Sequence, residues 1–153
     1  MEQFEGRNID GLVVFTSTEV LSILELETER LRQWIKMDYI KPSIAATGSG
    51  TKNYFSKVDV CKIGVFKKIV DIGINRWVAK RIIQKFSDED WHEIYDGSYP
   101  EYLFVTVKAV DRKNWKESLK FFVSPRLPDD LNWEIVIVIN FAIIAEKIKN
   151  KIW

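Results

Sequence analysis

Arg30-Leu31-Arg32-Gln33-Trp34-Ile35-Lys36-Met37-Asp38-Tyr39-Ile40-Lys41-Pro42 is the stretch that decides how this chain is read. Leu31, Trp34 and Ile35 have the spacing of one buried helix face, while Arg30, Arg32, Gln33 and Lys36 fall largely on the others. The pattern predicts a short basic helix. Asp38 stands at its stop, a place more often taken by Gly or Asn. Lys41-Pro42 then forces an extended exit into a basic loop.

Charge sets the surrounding segment apart. Between Arg30 and Phe86 there are 13 Lys/Arg and 3 acids (Asp38, Asp59 and Asp71), so this segment is +10, the remainder is −9 and the whole chain is +1. A near-neutral chain with a concentrated basic block points to a polyanionic partner. Nucleic acid is the commonest, because clustered cations release condensed counterions from phosphates.

The elements on either side are legible. Residues 1–11 read as a loose leader ending in the turn pair Asp10-Gly11, and Leu12–Phe15 as a small strand. Thr16 and Glu19 have capping-box spacing before a helix with Val20, Leu21 and Leu24 on one face. Glu25-Leu26-Glu27 makes a bend, Thr28 caps the second helix, and Glu29 lies in its first turn. Two short helices joined by a tight bend, the second basic outside, form a helix-turn-helix candidate. Thr47 to Tyr54 reads as a hairpin tip and a return strand ending near Phe55, with Lys52 placed to reach phosphates and Tyr54 to buttress the loop. Ser56 and Asp59 repeat the capping spacing ahead of a helix carrying Val60, Ile63, Phe66, Ile69 and Val70, stopped at Gly73. Asn75 caps a fourth helix that turns Val78, Ile82, Ile83 and Phe86 inward.

In the C-terminal half, Ser87 caps an acidic helix from Asp88 to about Tyr95, ended by Gly97. Gly97-Ser98-Tyr99-Pro100 is the clearest boundary in the chain. Tyr102–Val110, Leu119–Val123 and Trp133–Ile139 read as strands, and Phe141–Lys151 as a final helix. The expected architecture is α+β: a DNA-binding unit over 12–86, a short acidic helix and linker over 87–100, and a small three-stranded sheet with a C-terminal helix over 101–153, for dimerisation or sensing.

The first unit resembles the DNA-binding domain of the MerR family of transcription regulators. The family pattern of Leu-Arg-Tyr-Tyr, two leucines and a proline, Gly-Tyr-Arg-x-Tyr, Asp-Leu and Leu-Gly-Phe is met here by Leu31-Arg32-Gln33-Trp34, Tyr39-Ile40-Lys41-Pro42, Gly50-Thr51-Lys52-Asn53-Tyr54, Asp59-Val60 and Ile72-Gly73-Ile74. The match runs over about residues 13–86, with no gap from Leu31 to Pro42 or from Gly50 to Ile74. It implies a winged helix-turn-helix, with the helix over about 28–37 in the major groove and the wing over about 41–55 on the backbone. By matched position, Arg32 contacts DNA, Lys52 replaces the wing arginine and Tyr54 keeps the wing tyrosine. Helical geometry adds Arg30, Gln33 and Lys36, and Thr28 and Lys41 complete the expected contact set. Gln33-Trp34, Asp38, Ile44 and Thr51 depart from the family's tyrosine pair, glycine, arginine and wing aromatic. The long dimer helix usual after this domain is interrupted here by Gly97 and Pro100.

The implied function is a cytoplasmic, nucleoid-associated transcription regulator of bacterial or phage origin, binding double-stranded DNA. A second copy of the chain, through the C-terminal region, and RNA polymerase are the further partners this reading allows. An excisionase-like architectural protein that bends DNA is the alternative, and an adaptor for an acidic protein or RNA a third. No cofactor, metal or membrane partner is expected, nor enzymatic chemistry: no phosphate-binding glycine loop or nucleophile motif is present. Cys61, the one cysteine, reads as a packed thiol, and His92, the one histidine, as a surface residue. The acid pairs near Asp88 and Asp129-Asp130 sit where helix starts and loops favour carboxylates. Trp77, Trp115, Trp133 and Trp153 read as core and interface anchors.

Overall fold

The computed structural model describes residues 3–98, 103–109, 113, 119–124 and 135–152, and the architecture is α+β. The first sheet begins where the sequence predicts a loose leader. β1 (Arg7–Ile9) pairs antiparallel with β2 (Leu12–Thr16) around Asp10 (φ 50°) and Gly11 (φ 84°). Two positive φ angles in a two-residue turn match the right-handed twist of the flanking strands. The Asn8 carboxamide adds a bond from the Gly11 amide at 2.9 Å. Residues 7–11 are therefore a built hairpin, and Phe4 forms a bridge with Ile152 at the far end of the chain. β3 (Tyr54–Ser56) closes the sheet on the other side of β2.

α1 (Ser17–Leu24) starts in the expected capping box: the Thr16 amide donates to Glu19 Oε2 at 2.6 Å, and the Glu19 amide returns a bond to Thr16 Oγ1. Glu25 ends it in a left-handed conformation. α2 (Thr28–Lys36) corrects one expectation, because its N-cap is Glu27, which makes no side-chain cap bond, and Thr28 is the first helical residue. Leu31 and Trp34 are buried and Ile35 is half-buried, as the spacing requires. Asp38 (φ 57°) takes the left-handed stop.

The hairpin after α2 is held by Ile44 and Tyr54, which exchange backbone bonds of 3.1 and 2.9 Å. Its tip is closed by Thr51 Oγ1, which accepts from the Thr47 and Gly48 amides at 2.9 and 3.0 Å. α3 (Lys57–Asp71) is buried around most of its circumference, which explains why its apolar residues exceed a single stripe. Its capping residue Asp59 does more than cap. Asp59 Oδ2 accepts from the Ser56 amide at 2.9 Å, from the Ser43 amide at 3.0 Å and from the Ser43 hydroxyl, fastening the base of the hairpin to α3. Gly73 (φ 94°) and Asn75 then separate α3 from α4 (Arg76–Ile83). α5 (Asp88–Asp96) follows in a third capping box, Ser87 with Asp90.

β4 (Leu103–Ala109), β5 (Leu119–Ser124) and β6 (Ile135–Ile139) form a second antiparallel sheet in the order β5-β4-β6. α6 (Phe141–Lys149) leaves β6 through Asn140, which caps it. Tyr99-Pro100, the 111–116 connector apart from Lys113, the loop with Pro125 and Pro128, Asp129-Asp130, and Trp115, Trp133 and Trp153 lie outside the described residues.

The last helix packs against the N-terminal elements. Phe141, Ala145 and Ile148 of α6 belong to the same buried cluster as α3, α4 and α5. Phe141 stacks on Trp91 at 5.8 Å and meets Phe86 edge-on at 5.2 Å, and the Trp91 indole donates to the Ile83 carbonyl at 3.3 Å. Aromatic contacts of this kind add roughly 0.5–1.5 kcal/mol beyond area burial. α6 approaches α3 at Gly64, where an added Cβ would lie 2.9 Å from Ile148 Cδ1. Across the same core, Trp34 meets Phe66 edge-on at 4.8 Å, so α2 is positioned by the helix that α6 supports.

Candidate nucleic-acid interface

With Leu31 and Trp34 turned inward, helical geometry puts Glu29, Arg32, Gln33, Lys36 and Met37 on one exposed stripe of α2. The Arg32 side chain is 79% exposed, and its Nη1 lies 3.9 Å from Glu29 Oε2. Lys36 is exposed, and Thr28 is exposed at the first turn. Arg32, Gln33 and Lys36 thus share the outward face expected of them.

Arg30 does not share it. Its guanidinium reaches Asp71 Oδ1 on α3 at 2.8 Å and lies 4.9 Å from the centre of the Trp34 ring. Asp71 Oδ2 also accepts from Lys67 at 2.8 Å. Partial burial alone would raise the Asp71 carboxyl, but the hydrogen bonds from Lys67 and Arg30 outweigh it and hold it below the usual carboxylate range. Arg30 therefore braces α2 against α3. The spacing that placed it on an outer face was right, but its partner stands 41 residues away.

Lys41 and Lys80 share Asp38, with Nζ atoms 3.4 Å from Oδ1 and 3.3 Å from Oδ2. The hydrogen bond from Lys80, then the one from Lys41, lowers the Asp38 carboxyl. Arg76 Nη1 donates to Gln33 Oε1 at 3.2 Å. Arg76 and Lys80 were not expected in the site. Asn75 announces a helix start, and Arg76 follows it, but nothing in the sequence shows that this start packs beside the end of α2. Lys52 is exposed in the hairpin loop. Tyr54 is half-buried, and its backbone holds the hairpin closed, so it supports the loop through the main chain.

The basic block is less bare than its formal charge. Arg30, Lys41, Lys62, Lys67 and Lys80 each lie within 3.4 Å of a carboxylate, and Lys62 draws its partner, Asp88, from α5 outside the block. Lys36 and Lys52 make no ion pair among the described residues. A cleft of about 620 Å³ opens beside the hairpin base, but its lining sets Lys41, Lys62 and Lys80 against Asp38, Asp59 and Asp88, so it favours neither charge. Among the described residues, no three His, Cys, Asp or Glu side chains are grouped to hold a metal ion. Cys61 is fully buried, which pushes its thiol up to about 12. No helix among the described residues is long and apolar enough to cross a membrane. No protein-family model and no curated protein matches the chain.

Proposed function

We propose that this chain is a sequence-specific DNA-binding transcription regulator that uses a MerR-like winged helix-turn-helix. α2 enters the major groove and the hairpin over about 41–55 lies on the phosphate backbone. The observation that carries this reading is the exposed stripe of Arg32, Gln33 and Lys36, opposite the buried Leu31 and Trp34 and flanked by Arg76, Lys41 and Lys80. Arg32 supplies a planar fork for a guanine edge, while Lys36, Lys41 and Lys52 supply charge for phosphates.

The test is fluorescence anisotropy with duplex DNA across a salt series. Binding should weaken steeply with salt, and Arg32→Ala should cost roughly 1–3 kcal/mol and relax sequence preference at one position. Affinity unchanged by Arg32→Ala would remove α2 from the groove, and no binding to any duplex at low salt would end the reading.

A second reading, an excisionase-like architectural protein, draws on a different observation. α5 stops at Asp96 and α6 folds back into the core, so among the described residues no long helix projects to pair two chains. Light scattering with and without DNA, together with a bend assay on permuted fragments, separates the two. A DNA-bound monomer that bends the duplex favours the architectural role, and a dimer on a palindromic site favours the regulator.

A further inference from the structure

Glu29 is an anomaly on a face that should approach phosphates. Its side chain is 82% exposed, it lies on the same stripe as Arg32, Gln33 and Lys36, and among the described residues its one ion-pair partner is the Arg32 guanidinium, at 3.9 Å. A carboxylate there repels the DNA backbone, so its presence weakens sequence-independent binding. The base edges are different. In the major groove cytosine N4 is a donor, and a carboxylate is the side chain suited to accept from it, while guanine O6 and N7 suit an arginine fork. Glu29 also lies in the first turn of α2, the part of a groove-bound helix that usually reaches base edges.

We infer that Glu29 and Arg32 form a paired reader of two adjacent G·C base pairs, Arg32 donating to the guanine of one and Glu29 accepting from cytosine N4 of the other. This rests on the proposed placement of α2 in the major groove. The i, i+3 spacing sets the two side chains as neighbours on one helix face, and both are largely exposed, so base edges can replace their weak ion pair. Glu29 thus trades general affinity for discrimination, since it penalises any site that presents no amino donor at that position.

The test uses the full chain and a duplex recovered by selection from randomised DNA, with each base pair then replaced in turn. The wild-type protein should prefer cytosine at one position over the other bases by about five- to a hundred-fold. Glu29→Ala should erase that preference while binding random duplex as tightly as the wild type or more tightly. Glu29→Gln, which keeps the shape and loses the charge, should shift the preference toward adenine. A helix-stabilising role for Glu29 would move none of these base preferences. If both variants keep the wild type's preferences at every position, the inference is overturned, whereas a wild type that binds duplex but selects no sequence would defeat the proposed sequence-specific function itself. Failure to bind any duplex would defeat that function as well.

Discussion

Arg30 on α2 and Asp71 at the end of α3 meet at 2.8 Å, and Asp71 also receives Lys67 at 2.8 Å. The pair is about one-third exposed, so solvent screens it and its coupling should be small, roughly 0.5 kcal/mol. A double-mutant cycle with Arg30→Ala and Asp71→Asn, read by urea unfolding, is expected to give a coupling of that size that shrinks in high salt. No coupling would mean that Arg30 stands free of α3.

The same carboxylate gives a pH dependence of known sign. Asp71 is held below the usual value when folded, so its stabilising contribution is present above the ordinary carboxylate value of about 3.9 and is lost as pH falls through the lower folded-state value. Acid unfolding of Asp71→Asn should therefore show a shallower loss of stability in that window than the wild type. An identical slope would remove the shift.

Asp59→Ala strands the Ser43 amide and hydroxyl and the Ser56 amide together. The expected loss is about 2 kcal/mol, larger than the roughly 1 kcal/mol of an ordinary cap, because the buried Ser56 amide is left unpaired and the exposed Ser43 loses its tie to α3. Ser56→Ala, which removes only the reciprocal bond, should stay near 1 kcal/mol. Thermal unfolding of the two variants compares them directly.

Gly64 tests the seat of α6. An added Cβ would lie 2.9 Å from Ile148 Cδ1 and 3.3 Å from Leu24 Cδ2, both ends of flexible side chains. Gly64→Ala should be nearly neutral, since helix propensity returns up to about 1 kcal/mol. Gly64→Leu should cost roughly 1–3 kcal/mol by overpacking. Equal stability of the Leu variant would show that α6 does not sit on α3.

Phe141→Ala should cost about 3–5 kcal/mol, because it leaves a hole between Trp91 and Phe86. A chain ending at residue 98 should fail to unfold cooperatively for the same reason. Cooperative unfolding of that fragment at wild-type stability would support the boundary drawn near residue 100.

Cys61 gives an independent check on burial. With its thiol raised to about 12, native protein at pH 8 should resist a thiol reagent and react only after denaturation. Rapid labelling of the folded chain would contradict a packed thiol.

Local rules carried much of this fold. The capping pairs Thr16/Glu19 and Ser56/Asp59, the Ser87 cap, the stops at Asp38 and Gly73, and the buried Leu31 and Trp34 were all legible, because each depends on neighbours within four residues. What stayed hidden was long-range. Arg30 looked outward until Asp71 was placed, Arg76 joined the site only through Gln33, and α6 looked like part of a second unit until Phe141 met Trp91. Thr28 misled for a smaller reason: a good capping residue one position inside a helix reads the same as one at its edge. β1 was missed because three residues are too short for a strand pattern, although the Asp10-Gly11 signal was there.

The Phe4 amide donates to the Lys151 carbonyl at 2.8 Å, so both ends of the described chain emerge from one spot. A few residues of linker would join them into a covalent ring without stretching. The same adjacency means that a reporter fused at either end would ride at one shared location.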